Sequence, residues 1–251
     1  MVKILVCGIG GAMGKNVVDL CAADNDAEVV CGVDLRAPES VKAPVYASFN
    51  DVCEPVDVVV DFSSPAALKG ELEWAVKNKK PVVLAATGYN EDHVKMINEA
   101  AKKTAVFKTA NFSLGVNLLV KLVKEAAQTL GEKFDIEIIE RHHNKKVDAP
   151  SGTALMLADG ANSAFGGKKD FVNGREGAVG KRGAEIGIHA VRGGSIVGEH
   201  EVMFAGEDEI ITLSHSARSK KVFAAGAIKA AKWICGKGAG LYDMTDVLEN
   251  L

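Results

Sequence analysis

The sequence predicts an α/β protein in two parts, a doubly wound parallel sheet assembled from both chain ends with an α+β segment inserted between them. Three observations carry this. Short apolar runs alternate with helical patterns over residues 2–108. A glycine cluster follows the first of those runs directly. The pattern changes near Asn111–Ser113, and helical periodicity returns near the C-terminal end. Continuous apolar strands suit a sheet buried on both faces, and strands alternating with helices make right-handed βαβ units.

In order, Val2–Cys7 reads as a buried strand and Asn16–Ala23 as a helix with Val17, Val18, Leu20 and Cys21 on its apolar face. Glu28–Val33 and Val56–Phe62 are the next strands, and a helix is expected over Pro65–Asn78. A strand over Pro81–Ala86, a helix over Glu91–Lys103 and a strand over Ala105–Lys108 complete the parallel part. The insert opens with a helix over Gly115–Leu130 and a strand over Phe134–Glu140. Phe171–Gly183 is rich in glycine and charge and reads as a loop. Antiparallel strands are expected over Glu185–Val191, Ile196–Phe204 and Glu209–Ser214. Their turns are Arg192–Ser195 and Ala205–Asp208. Val222–Cys235 is helical again.

Composition narrows the function classes. At about 150 residues per domain, 251 residues make roughly 1.7 domains. The chain is 47% hydrophobic and 25% charged, enough apolar material for a packed core. A net charge of −3 argues against a nucleic-acid coat protein. No stretch approaches the roughly 20 apolar residues of a membrane helix, and the N-terminus lacks the features of a signal peptide. The five cysteines, Cys7, Cys21, Cys31, Cys53 and Cys235, form no Cys-x-x-Cys pair. A reduced, cytoplasmic protein without membrane or nucleic-acid partners is the expectation, and no metal site is expected.

Gly8-Ile9-Gly10-Gly11-Ala12-Met13-Gly14 follows the first strand and opens a helix. The third glycine of the strict Gly-x-Gly-x-x-Gly spacing is replaced by Met13, but Gly8-x-x-Gly11-x-x-Gly14 fits a variant. Glycine lets backbone approach a pyrophosphate, and the helix N-terminus supplies N–H donors. Asp34, 20 residues after Gly14 and just past the second strand, is placed to bind a ribose hydroxyl. Its carboxylate repels a 2′-phosphate and favours NADH. Arg36 can accept that phosphate, so use of both NADH and NADPH stays open.

Glu140-Arg141-His142-His143-Asn144-Lys145-Lys146-Val147-Asp148-Ala149-Pro150-Ser151-Gly152-Thr153-Ala154 holds two of the six histidines. With Arg141, Lys145 and Lys146 it makes a local positive field in an acidic chain. A helix is expected over Ala154–Ala161, with Ser151 or Thr153 as N-cap and the N–H groups of Gly152 and Thr153 forming an anion site. The combination points to a small substrate with more than one carboxylate. Histidine and lysine can also move protons near neutral pH. His200 and His215 read as ordinary strand residues, since Gly198-Glu199-His200-Glu201 lacks the second histidine of a His-Glu-x-x-His zinc motif.

Together these motifs resemble the dihydrodipicolinate reductase family over essentially the whole chain. Gly8–Gly14, Asp61-Phe62-Ser63, Ala86-Thr87-Gly88 and Ala110-Asn111-Phe112-Ser113 look like its cofactor-side motifs. Glu140–Ala154 looks like its signature segment, and Arg192–His200 like a further family stretch. The resemblance implies reduction of 4-hydroxy-tetrahydrodipicolinate by NADH or NADPH with loss of water, in the diaminopimelate route to lysine. It implies His142 as acid/base, Lys146 as proton donor, and His143, Gly152 and Thr153 at the substrate carboxylates. On the cofactor side it implies Gly8, Ile9, Gly10, Gly11, Ala12 and Met13 at the pyrophosphate and Asp34 at the adenosine ribose. Ala85, Ala86, Thr87, Thr109, Ala110, Asn111 and Phe112 would line the nicotinamide end.

Two departures from the family pattern stand out. Ala85–Ala86 stands where some members have glycine and threonine, and Leu35 where some have arginine, which weakens the case for NADPH. The implied fold is a Rossmann-like dinucleotide-binding domain, residues 1–112 with 220–251. An α+β substrate-binding and oligomerisation domain, residues 113–219, is inserted in it. The site is expected where the domains meet, and the resemblance implies a homotetramer. A different two-domain reductase should lack the His-His-x-x-Lys and Pro-Ser-Gly-Thr pairing, and a nucleotide sensor would need no His/Lys cluster.

Overall fold

The computed structural model describes residues 1–36 and 41–250. Two compact units result, Met1–Ser113 with Lys221–Leu251, and Leu114–Lys220.

In the first unit, β1 (Val2–Cys7) is an inner strand of a seven-stranded parallel sheet. Its partners are β2 (Ala27–Val33), β3 (Val45–Tyr46), β4 (Val58–Asp61), β5 (Val82–Leu84), β6 (Ala105–Lys108) and β12 (Gly240–Tyr242). The order is β12-β6-β5-β4-β1-β2-β3. Strand order reverses between β1 and β4, the switch point at which open α/β sheets bind ligands. The helices are α1 (Ala12–Cys21), α2 (Leu68–Asn78), α3 (Glu91–Ala101), α6 (Lys221–Ile234) and α7 (Met244–Glu249). Leu5, Val59, Val82, Leu84 and Val106 of the strands pack against Leu68, Leu72 and Ile97.

α1 starts at Ala12, four residues before the periodicity predicts, because Gly11 is its N-cap and the glycine loop runs into its first turn. β3 and β12 are two- and three-residue edge strands, too short to show a period. The C-terminal segment returns through close packing. A Cβ at Gly226 of α6 would overlap the Phe112 carbonyl. Lys232 Nζ reaches both carboxylate oxygens of Asp24 at 2.7 Å, and β12 pairs with β6.

The second unit is built on β7 (Asp135–His142), with α4 (Leu114–Leu130) and α5 (Gly152–Ser163). The remaining strands are β8 (Phe171–Asn173), β9 (Ile186–Arg192), β10 (Gly198–Ala205) and β11 (Ile210–Ala217). The order is β11-β10-β7-β9-β8. This corrects the expected antiparallel sheet. Residues 192–195 do not join two paired strands; β9 and β10 lie on opposite sides of β7, and β9 and β8 run parallel. The reason is the helix α5 after β7, which carries the chain back to the starting edge so that the next strands run parallel. Phe171–Asn173, expected as loop, is β8. Strand alternation points Ile136, Ile138, Glu140 and His142 of β7 to one face, where Ile136 and Ile138 meet Leu157, Val202 and Phe204. Among the described residues no helix is long and apolar enough to cross a membrane.

Candidate active site

In the first unit the predicted residues line the carboxyl ends of neighbouring strands. Gly8 follows β1 with φ +77°, a conformation glycine adopts without strain. A Cβ there would lie 2.9 Å from Phe62 and Ser63 backbone atoms. Gly11 N donates to Gly8 O at 3.1 Å. A Cβ at Gly14 would overlap the Gly8 carbonyl, so Gly14 performs the close-packing task of the third fingerprint glycine. Ile9 is fully buried, its side chain seated where a Cβ at Gly32 would be. Gly10, Ala12 and Met13 complete the turn, and Met13 Sδ accepts from Asn16 Nδ2 at 3.8 Å.

Asp34 Oδ2 accepts from Gly10 N at 2.9 Å and Oδ1 from Arg36 N at 3.1 Å, so the acidic group is fixed by the loop it serves. Leu35 is 90% exposed. A cavity of about 720 Å³ is lined by Gly8, Gly11, Asp34, Phe62, Ser63 and Trp74 among others, within the range of cofactor sites. Ala85, Ala86 and Thr87 follow β5, with Ala85 N donating to Asp61 O at 2.8 Å. Thr109, Ala110, Asn111 and Phe112 follow β6. Thr109 Oγ1 donates to Asn111 O at 3.2 Å, and Phe112 packs on Phe107 and Phe62. Glycines that leave no room for side chains and a pre-ordered carboxylate fit a dinucleotide.

Beneath the loop lies a buried acid pair. Asp61 accepts from Ser63 N at 2.7 Å, Ser63 Oγ at 2.5 Å and Tyr89 Oη at 3.2 Å. Among the described residues neither carboxylate oxygen of the fully buried Glu71 has a hydrogen-bond partner. Burial first, and then the charge of Asp61, pushes the Glu71 carboxyl well above the usual range.

In the second unit the signature segment folds round one carboxylate. Glu140 is fully buried. Its Oε2 lies 2.6 Å from His142 Nδ1 and accepts from Arg192 Nη1 at 2.7 Å. Its Oε1 accepts from Ser151 N at 3.0 Å and Arg192 Nη2 at 2.8 Å. Burial works to raise the Glu140 carboxyl, but Arg192, His142 and the Ser151 N–H outweigh it and hold it below the ordinary value. Ser151 is the N-cap of α5, its Oγ accepting from Ala154 N at 3.2 Å, and Thr153 is not. α5 therefore begins at Gly152, two residues earlier than expected, with Gly152 and Thr153 as its first two positions. A Cβ at Gly152 would meet no atom of the described residues within 4 Å, so the space beside that helix start is open among them.

His143 Nδ1 is shielded from solvent with no hydrogen-bond partner among the described residues. Lys146 Nζ pairs with Asp148 Oδ1 at 2.8 Å. His200 is more than a strand filler. Its Nε2 lies 2.9 Å from Ser151 Oγ, and its ring meets that of His142 edge-on at 5.1 Å. Burial first, then the neighbouring His142, pushes His200 down to about 4, so it is neutral at physiological pH. Arg192, Glu140 and His200 were visible as family-like residues, but their convergence was not. β7, β9 and β10 bring them together from far apart in sequence.

A parallel sheet with a glycine-lined turn at its switch point, carried in one chain with buried acid–base groups, defines a two-domain nicotinamide-dependent oxidoreductase. Comparison with known proteins makes this particular. The family model "Dihydrodipicolinate reductase, N-terminus" matches residues 2–112 and "Dihydrodipicolinate reductase, C-terminus" residues 115–248. The chain belongs to the dihydrodipicolinate reductase family. It is 50% identical over 251 residues to the 4-hydroxy-tetrahydrodipicolinate reductase of Caldanaerobacter subterraneus subsp. tengcongensis, covering 100% of this chain and 99% of that one. It is 43% identical to the enzyme of the same name from Clostridium tetani, covering 100% and 98%. A solved dipicolinate-bound dihydrodipicolinate reductase from Paenisporosarcina sp. TG-14 matches with a TM-score of 0.81 at 26% identity, covering 97% of each chain.

Proposed function

We propose that the chain reduces 4-hydroxy-tetrahydrodipicolinate to tetrahydrodipicolinate with loss of water, in the diaminopimelate route to lysine. The observation that carries this is the single carboxylate Glu140, which binds both His142 and the N-cap of α5. An acid–base group and an anion-binding helix start are thereby fixed together in one unit. His143 and the N–H groups of Gly152 and Thr153 hold the substrate carboxylates; a helix N-terminus favours such anions. When bound, the nicotinamide cofactor supplies the hydride. Lys146 stabilises negative charge on the atom left electron-rich and then protonates it. Asp148 holds the Lys146 ammonium group in place in the resting site, Nζ to Oδ1 at 2.8 Å. His142 relays protons to it.

Gly8, Ile9, Gly10, Gly11, Ala12 and Met13 hold the pyrophosphate through backbone. Ala85–Thr87 and Thr109–Phe112 line the nicotinamide end. Residues 1–112 with 220–251 serve as the dinucleotide domain, and 113–219 as the substrate and oligomerisation domain. Asp34 binds the adenosine ribose and, with uncharged Leu35 beside it, favours NADH over NADPH. The reading extends to a cytoplasmic homotetramer assembled through the mixed sheet. The test is oxidation of NADH with freshly prepared 4-hydroxy-tetrahydrodipicolinate, with pyridine-2,6-dicarboxylate as inhibitor. Turnover blocked by that dicarboxylate is expected, and absence of oxidation with either coenzyme refutes the assignment.

A further inference from the structure

Every acceptor site of Glu140 is filled. Each oxygen takes one Arg192 N–H, and the second place goes to His142 on one oxygen and to Ser151 N on the other. A fully buried charge costs several kcal/mol unless it is paired and hydrogen-bonded throughout, and this one is. Arg192 also binds Asp148 O at 2.6 Å and Val191 O at 2.8 Å. The guanidinium thus braces the segment bearing Lys146 against the end of β9.

The two nitrogens of His142 stand in different surroundings. An ionised carboxylate can only accept, so the short contact requires that Nδ1 carry the proton. The other side is kept uncovered by glycine, since a Cβ at Gly198 would sit 3.1 Å from Nε2. One nitrogen is committed and the other left accessible. The i, i+2 spacing on β7 puts Glu140 and His142 on the same face.

We propose that Glu140, clamped by Arg192, is a positioning residue for the reaction: it fixes the Nδ1–H tautomer of His142, leaving Nε2 to exchange protons, and locks that ring to the helix start that receives the substrate carboxylate. This rests on the acid–base role given to His142 above. A side chain that only filled space would need no charge. A carboxylate matters because the wrong tautomer presents a donor where an acceptor is needed, and such errors cost large factors in turnover.

The decisive measurement is the ¹⁵N spectrum of the histidine rings in the wild-type protein, with His142 assigned by its loss in His142→Asn. The neutral ring should show Nδ1 protonated and Nε2 bare. A ring protonated mainly on Nε2 overturns the proposal whatever reaction the protein performs. Glu140→Gln is nearly isosteric, yet its amide can donate to Nδ1 and so permits the opposite tautomer. It should move the signal toward Nε2–H and lower kcat by about 10-fold or more, with KM changed little. An unchanged tautomer with unchanged kcat, or a rise confined to KM, overturns the positioning role. Failure of the wild-type protein to reduce 4-hydroxy-tetrahydrodipicolinate instead sinks the functional assignment, and the tautomer still decides this inference.

Discussion

The two units build their proposed anion sites by opposite means. In the first, the glycine turn offers backbone, and its chief requirement is that side chains be absent: Gly8, Gly10 and Gly14 each face atoms that a Cβ would crowd. In the second, the helix start at Gly152 is also backbone, but it is held by a charged network of Glu140, Arg192, His142 and Ser151. The glycine turn of the first site is therefore intolerant of added volume. The second tolerates volume at Gly152 and is intolerant of charge changes. A dinucleotide needs only placement, whereas the substrate needs placement and protons.

The contrast can be broken most sharply at the two residues proposed to handle protons. Lys146→Ala and His142→Ala should each lower turnover on the order of 10²-fold or more, the scale of one lost acid–base contribution. Steady-state kinetics decide it, and near-normal turnover in both variants removes the charge-based side of the comparison. Next is pH. His200 is held neutral, with its folded value near 4 against the ordinary 6.5. The folded state resists its protonation, so stability is whole above about pH 6.5. As pH falls toward 4, up to about 3 kcal/mol is lost. Denaturant titrations across that range should show the loss, and His200→Asn should flatten it.

On the volume side, Gly8→Ala places a Cβ against Phe62 at positive φ, should cost about 1–2 kcal/mol of folding stability, and should weaken coenzyme binding by displacing the turn. Calorimetry should find binding of pyridine-2,6-dicarboxylate unaltered; equal damage to both ligands would merge the two sites into one. Smallest is Asp34→Ser, which removes the charge facing a 2′-phosphate. It should shift the kcat/KM ratio toward NADPH by about 10-fold. No shift would mean that Asp34 acts only through its hydrogen bond to Gly10.

The sequence carried the parallel sheet well because its strands hold apolar runs such as Ile4–Cys7 and Ala105–Phe107, and periodicity records local burial. It did not carry the order of the second sheet. Arg192–Ser195 has turn residues, and nothing local shows that the chain passes to the far side of β7; pairing partners are set by the whole sheet. The same limit applies to the site. His142, Lys146 and the Pro-Ser-Gly-Thr turn are contiguous and show themselves as a motif. The task of Glu140 depends on Arg192, 52 residues away, and that of Ser151 on His200, 49 away.

The chain's threading has a consequence for how the molecule forms. β6 of the first unit waits for β12, which is made after the whole insert, and its sheet also waits for α6. The insert, by contrast, is contiguous from Leu114 to Lys220. It opens with α4, which packs on β11, the strand that closes it. During synthesis the second unit can complete itself while the first cannot. Once folded, it replaces a floppy hundred-residue loop with a short rigid one, which lowers the entropy lost when the chain's two ends finally join. The inserted domain is then a folding scaffold for the nucleotide domain that encloses it in sequence.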